Sequence, residues 1–537
     1  MIKIVLVCCI CCWSAVAPAQ NAGMGTLAPD SSAQLDIQST TRGLLIPSMT
    51  QSQLSGIVSP ATGLLVFQID HGAGFYYNAG TPAAPSWQAL ATPSGSAGWK
   101  LAGNGGTDPA TDFVGTTDSK PLLFRINNVT AGYLDSAKSR TYLGYGAGNI
   151  ASAGYGSVAI GKNSLARDSA GSVLVAVGDS ALSGYRYGAG NVAAGFYALA
   201  QNVYGEANTA IGFYSLYSSP GSLNTATGPM ALAYNTQGGN TAKGNGALGN
   251  NMQGSNNTAL GTSAMGLYPA KDYQNYENTA AGAAALADDD AGRGNTAGGY
   301  SALSANTSGG ANTAIGSQAG SGIGSSGGNT ALGAHTLTGA TTGSSLTATG
   351  RSAGELDYSD PEGGNTCTGS YALYQNAGTG TLCTATGAYA LYFNNGKSNT
   401  ATGYYAMHGT GQDGSDNTAF GASTLNQLVA TSDGNTAYGN QALYFCGSCS
   451  YNTAAGYGAL YQLSVTNYNT AIGYAAGIGY NPGFYNTILG ANCDIANSGL
   501  TNCVAIGQQV TCTDNNQVRI GNLATNSIGG QVGWSTL

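Results

Sequence analysis

Alanine and leucine return along this chain at fixed distances from a glycine. In the stretch Asn-Thr-Ala-Ile-Gly-Phe-Tyr-Ser-Leu at 208–216, Ala210 lies two residues before Gly212 and Leu216 four residues after it. The cassette Asn-Thr-Ala-x-Gly ends at Gly212, Gly228, Gly244, Gly261, Gly282, Gly299, Gly316 and Gly333. It returns from Asn399, Asn417, Asn435, Asn452, Asn469 and, with Ile for Ala, Asn486. Degenerate copies extend the glycine file from Gly144 to Gly507, at a mean spacing of about 17 residues. The slot four residues after the glycine holds Leu or Met, as at Leu165, Leu199, Leu232, Met265, Leu303, Leu391, Met407 and Leu460. A repeat this short is one turn of a β-solenoid or β-roll, a stack in which each turn touches only its neighbours.

The pattern predicts that the alanine and the leucine face the interior on two short strands. The glycine makes the corner between them, where positive φ or close backbone approach is needed. Asn and Thr ahead of the strand bond to nearby backbone and stack in ladders at about 4.8 Å. One Ala and one Leu per turn form a thin core, offering a few kcal/mol of burial. Ordering each residue costs roughly 1.5 kcal/mol. The imbalance predicts association along a shared axis, with threefold closure the natural form. A monomeric solenoid with a filled interior is the alternative.

Composition agrees with a ladder-built protein. Charged residues are 7%, glycines number 85, and the net charge of −8 is spread thinly with no basic patch, so nucleic acid is not an expected partner. Residues 1–19 read as a secretory signal: Met1-Ile2-Lys3, an apolar run from Ile4 to Ala17, and Ala17-Pro18-Ala19 before cleavage near Gln20. A lipoprotein reading of Cys8 or Cys9 lacks the small residue ahead of the cysteine. No second apolar span follows, so no transmembrane anchor is expected. Seven cysteines remain in the mature chain, and export makes disulfides their default use. Cys446 and Cys449 are candidates for a local bridge, and Cys493 and Cys512 fall at similar phases of adjacent turns.

The repeat Asn-Thr-Ala-Ile-Gly followed by Ala-Leu resembles the head repeat of trimeric bacterial adhesins, over about 140–510. That resemblance implies a left-handed parallel β-roll assembled from three chains. The period departs from the family's, which is nearer fourteen, and places about three extra residues per turn in the outward loop. The stalk and membrane β-barrel of those adhesins have no counterpart here. Ahead of the repeat, Gly43-Leu44-Leu45-Ile46-Pro47, then Gly63-Leu64-Leu65-Val66-Phe67, then Gly74-Phe75-Tyr76-Tyr77-Asn78 with Trp87 and Trp99, read as strands and turns of a β-rich adaptor or cap. Their order resembles the N-terminal segment of tail-fibre-like surface proteins. After the repeat, 517–522 and 527–534 look like the segment preceding an endosialidase-type intramolecular chaperone. That resemblance implies a trimerising domain that cuts itself off near Leu537.

Chemistry is sparse. Asp288, Asp289 and Asp290 form the densest acidic run, and Glu355, Asp357, Asp360 and Glu362 the next. Paired acids of this kind cleave glycosides when set about 5 Å or 6.5–9.5 Å apart across a cleft, but both groups read as solvated turns. Calcium binding at 288–290 is a further reading. His71, His335 and His408 are too scattered for a triad or a metal site. No catalytic residue, metal or cofactor is expected. Tyrosine is plentiful, with 33 residues, and many follow the glycine, as Tyr214, Tyr300, Tyr371, Tyr389, Tyr404, Tyr405, Tyr457 and Tyr474 do. The long turns place Tyr268, Lys271, Asp272, Tyr273, Tyr276 and Tyr358 in outward loops, the candidate surface-binding residues. A single outward threonine file also raises ice or crystal-surface binding, for which two files are expected.

The expectation is an all-β chain: a parallel β-roll or β-solenoid rod of about 17-residue turns, homotrimeric, with a small β-rich N-terminal cap. Its domains are 1–19 signal, 20–137 adaptor, 138–512 repeat and 513–537 C-terminal segment. The expected role is a secreted structural fibre or adhesin, joined to itself and to an unidentified cell-surface glycan or protein receptor. The alternatives are a tailspike-type glycan-degrading enzyme and an ice-binding solenoid.

Overall fold

The structure, a computed structural model, describes residues 21–90, 103–108, 110–266, 276–339, 343–357, 363–376, 380–409, 414–428 and 431–528. The expected signal, Trp99, Tyr268, Lys271, Asp272, Tyr273, Tyr358, Asp360, Glu362 and the last nine residues lie outside them. Two compact units divide the chain, Met1–Val114 and Gly115–Leu537.

In the first unit Ser48–Met49 pairs in parallel with Leu65–Gln68. Leu65–Gln68 pairs antiparallel with Gly74–Asn78, which pairs antiparallel with Trp87–Ala89. A short helix, Gln51–Ser55, joins the first two strands and was not legible as a helix in the sequence. Thr50 caps it: its hydroxyl accepts from Gln53 N, and the Gln53 amide oxygen accepts from Thr50 N at 2.9 Å. Leu54 and Val66 are buried beneath this sheet, whereas Leu27, Leu44, Leu45, Val58 and Ile69 stand exposed.

The second unit opens with a meander, Leu122–Ile126, Val129–Asp135 and Arg140–Leu143. Parallel stacking starts with the last strand of this meander, Arg140–Leu143. Arg140–Leu143 pairs in parallel with Val158–Ile160, and from there every turn contributes one strand to the same parallel sheet. The sheet ends at Val518–Ile520, so 518–520 are its last rung. Register is strict: Thr209 faces Thr225, Ala210 faces Ala226 and Ile211 faces Thr227. The first rung is sealed by a buried ion pair, with Arg140 Nη2 2.7 Å from Asp135 Oδ2 and the Tyr133 hydroxyl bonded to both.

Ala210 and Leu216 are fully buried, as the spacing predicts. Leu216 is not on a second strand, however. It lies in a turn with φ +48°, and every leucine or methionine of that slot shares this left-handed backbone, from Leu165 (φ +53°) to Leu460 (φ +48°). The reason is a reversal of bonding direction. Gly212 and Tyr214 donate their N–H to the preceding turn, at Ala194 O (2.8 Å) and Phe196 O (3.0 Å). Leu216 and Ser218 donate to the following turn, at Ala231 O (3.0 Å) and Ala233 O (2.8 Å). A left-handed residue costs roughly 1–2 kcal/mol, and burying a leucine returns about 1.5–3 kcal/mol. Second strands occur two residues beyond the leucine slot, at Leu356–Asp357, Gln375–Asn376 and Phe393–Asn394 and again at Gln427–Leu428, Phe445–Cys446 and Gln462–Leu463, and near the end of the stack at the slot itself, at Asp494–Ile495 and Thr511–Cys512.

The interior is fuller than one Ala and one Leu. The residue three after the glycine is also buried, usually alanine, as at Ala198, Ala231, Ala247 and Ala302. Where it is Ser215 or Thr336, the hydroxyl donates to the corner carbonyls of Gly212 (3.0 Å) and Gly333 (2.7 Å). The cassette asparagines are core residues too. Asn208, Asn224, Asn240, Asn295 and Asn312 are fully buried. Asn224 N donates to Asn208 Oδ1 (3.0 Å) and Asn240 N to Asn224 Oδ1 (3.0 Å), and the relay, interrupted where Leu346 and Cys383 take the asparagine's place, ends at Cys503 N on Asn486 Oδ1 (2.9 Å). Amide nitrogens of this file donate to a carbonyl of the next turn, as Asn208 does to Gly221 O (2.9 Å) and Asn312 to Ser326 O (2.9 Å). A lone chain of the repeat therefore has a filled, hydrogen-bonded interior, and the thin-core argument for association fails.

The glycines are explained twice over. Gly212 has φ +135°, and a Cβ there would lie 2.6 Å from Gly228 O of the next turn. Gly228, Gly244, Gly261, Gly282, Gly299, Gly316 and Gly333 repeat both features.

Candidate binding surface

The outward face of the parallel sheet carries two files. Thr209, Thr225, Thr241, Thr258, Thr279, Thr296, Thr313 and Thr330 form the first, in register. The second is mostly apolar and exposed: Ile160, Val177, Ile211, Leu260, Ile315 and Ile472, with Phe420 and Tyr438 stacked at 5.0 Å. Threonine fills both files only over the consecutive rungs from Thr347–Thr349 to Thr400–Thr402 and at Thr225–Thr227.

Some of the tyrosines after the glycine stack turn upon turn. Tyr371, Tyr389 and Tyr405 make one column, at 5.2 and 4.9 Å, and Tyr374, Tyr392 and His408 a second, at 4.9 and 5.0 Å. Ring faces are covered by neighbouring rings, which leaves edges outward. Burial lowers the His408 pKa. Tyr276, the described member of its candidate loop, bridges Ser255 and Arg293 and lies under the Arg293 guanidinium at 4.9 Å.

The described acidic residues of the two groups have separate partners. Asp289 turns inward, where its Oδ1 accepts from Gly292 N (2.8 Å) and Asn306 Nδ2 (3.0 Å), and burial pushes its carboxyl up to about 7. Asp288 faces outward. Asp357 is buried and accepts from Asn376 (2.8 Å) and Asn365 (3.2 Å). Among the described residues, no group of three or more His, Cys, Asp or Glu is placed to hold a metal ion. No helix among them is long and apolar enough to cross a membrane.

Cys446 and Cys449 are bonded to each other. Cys493 and Cys512 are not; they are separate buried thiols, as are Cys367, Cys383 and Cys503. Their places explain this. Cys367 stands where neighbouring turns have Ala348 and Ala385, and Cys383 and Cys503 stand in the asparagine file. Burial raises Cys383 and Cys493 to about 11, which keeps them as neutral thiols filling the core.

One feature escaped the sequence reading. Near the start of the stack a groove of about 560 Å³ crosses several turns, lined by Arg167, Arg186, Tyr197, Gln201 and Tyr217.

Residues 23–106 match the family model described as "Phage tail like trimerisation region". The matched span holds most of the first unit. No curated protein matches the chain. The match and the parallel solenoid together fit a tail-fibre-like protein with a structural role; the likeness to trimeric adhesin heads and to a chaperone-bearing fibre rests on sequence resemblance alone.

Proposed function

We propose that the chain forms an exported, homotrimeric structural fibre that attaches to a surface and catalyses no reaction. The supporting observation is the first unit, which buries only Leu54 and Val66 as large apolar side chains among its described residues. Leu45 at 90% and Val58 at 91% stay exposed, inside the span that matches a trimerisation family. A sheet so poorly covered gains stability from further copies. The outward file of Ile160, Val177, Ile211 and Leu260 gives the repeat an apolar stripe that a parallel, in-register neighbour would cover.

Light scattering on the full chain tests this reading. The expected mass is three times the 53.5 kDa chain, and a stable monomer overturns it. Replacing Leu45 and Val58 together with aspartate is expected to lower the mass while the repeat stays folded. Export is tested separately: the N-terminus of the secreted protein is expected at about Gln20.

A further inference from the structure

We infer that the groove bounded by Arg167, Arg186, Tyr197, Gln201 and Tyr217 is a binding site for a carboxylate-bearing saccharide. This deepens the attachment reading and rests on it. The chain carries only 16 Lys and Arg in 537 residues and is net negative, yet two arginines from adjacent turns line this one groove. Both are exposed, and neither makes an ion pair among the described residues. Two guanidinium groups held at one groove without a carboxylate repel each other and favour an external anion.

The floor is shaped for a ligand to enter. Gly184 sits between Arg167 of the preceding turn and Gln201 of the next, and its N–H donates to Ala200 O at 2.7 Å. A Cβ at Gly184 would lie 2.6 Å from that same carbonyl. No side chain therefore fills the gap, and Ala166, Ala200, Ser180 and Ser183 keep the rest of the floor small. Backbone bonds fix the wall: Ser169 N and Ala170 N each donate to Arg186 O at 3.1 Å, and Arg186 N donates to Val203 O at 3.2 Å.

The chemistry of the lining selects the ligand class. Guanidinium forks match a carboxylate in bidentate geometry. Tyr197 stacks one face on Tyr214 at 5.3 Å, and Tyr217 meets Tyr197 at 60° and 6.1 Å; the sides of Tyr197 and Tyr217 that line the groove offer apolar ring surface to the C–H face of a sugar. The Gln201 amide donates to the Tyr217 hydroxyl at 2.8 Å, which leaves its carbonyl oxygen to accept from ligand hydroxyls. The volume lies within the range of small-ligand sites, about 300–1,000 Å³.

The test uses the full chain and three probes: a glucuronate-containing tetrasaccharide, its carboxyl-reduced neutral counterpart, and a sulfated tetrasaccharide of equal charge. Calorimetry is expected to find binding of the glucuronate probe, weakened at least tenfold in the neutral one. Arg167→Gln with Arg186→Gln, both exposed positions, is expected to abolish it. Ser183→Phe, which fills the groove and keeps both arginines in the chain, is expected to weaken it as strongly. Binding of the sulfated probe alone, equal binding of the neutral probe, or unchanged binding in the variants overturns the proposal, as does absence of binding at millimolar concentration. Mass is measured on the same samples. A trimer that binds none of the probes overturns the groove and leaves the fibre reading intact; a monomer that binds does the reverse.

Discussion

Ile488 occupies the space that a side chain at Gly477 would need: a Cβ at 477 would lie 3.1 Å from Ile488 Cδ1 and 2.9 Å from Leu460 Cδ2. Position 477 is the leucine slot of its turn, with φ +68°, and Ile488 stands where other turns carry alanine. Volume lost at one interior position is regained at another. The same exchange occurs at Gly354, whose Cβ position is 3.3 Å from the Sγ of Cys367, again in the alanine file of the next turn. The pair predicts a compensating double mutant. Ile488→Ala is expected to cost about 2–4 kcal/mol through the cavity it leaves, and Gly477→Leu about 1–3 kcal/mol through overpacking. The double substitution rebuilds the usual Ala and Leu arrangement, so chemical denaturation of all four proteins is expected to give a coupling of about 2 kcal/mol towards the wild type. Additive losses would sink the exchange.

The left-handed slot makes a second prediction. Leu232 has φ +50°, where a β-branched residue is strongly disfavoured. Leu232→Met is expected to cost less than about 1.5 kcal/mol, as volume-conserving changes do. Leu232→Ile keeps the volume yet is expected to cost about 2 kcal/mol more. Melting temperatures of the two variants decide it, and equal values would mean that the backbone preference plays no part.

Gly212 and Gly294 separate conformation from contact. Both have positive φ, +135° and +66°, but a Cβ at Gly294 meets nothing within 4 Å, whereas at Gly212 it meets the Gly228 carbonyl at 2.6 Å. Gly294→Ala is expected to cost about 1 kcal/mol, and Gly212→Ala about 3 kcal/mol or more, because the next turn must move. Amide exchange is expected to quicken around 212 and 228 in the second variant and to stay unchanged in the first.

Asp289 gives the chain a pH dependence. Its folded pKa of about 7 lies above the usual carboxylate value, chiefly through burial. Between the unfolded and folded values the native state binds the extra proton, so stability falls as pH rises from about 4 through 7. Asp289→Asn removes this slope, and the next turn already has Asn306 at the equivalent position. The variant is expected to melt higher than wild type at pH 8 and at nearly the same temperature at pH 4. A constant difference across that range would place the cause elsewhere.

Much of the fold was legible because its determinants repeat. Ala210, Gly212 and Leu216 recur in phase, and periodicity reports burial whatever the handedness of the backbone. It could not report that Leu216 sits at φ +48°, since the bonds that require this run to Phe196 through Tyr214 on one side and to Ala231 on the other. Asn208 read as a turn residue because asparagine usually is one; its burial depends on Gly221 and Asn224, more than a dozen residues away. The Cys446–Cys449 bridge was legible from its spacing, whereas similar phase in adjacent turns did not pair Cys493 with Cys512. Arg167 and Arg186 stand at different offsets from their glycines, so no sequence period pairs them. Only stacking brings them to one groove.

The asparagine relay has a consequence for inheritance. Each amide bridges one turn to the next, and it does so across 16 residues from Asn208 to Asn224 and across 21 from Asn257 to Asn278. The joint is therefore indifferent to which turn follows and to how long the intervening loop is. Unequal recombination between asparagine-bearing copies of the cassette can remove or duplicate a whole turn and leave an equivalent joint, whereas the turns with Leu346 and Cys383 in the file carry no amide to pass on. The reach of such a protein is a quantity that genomes can adjust in steps of about 4.8 Å, without redesigning a core.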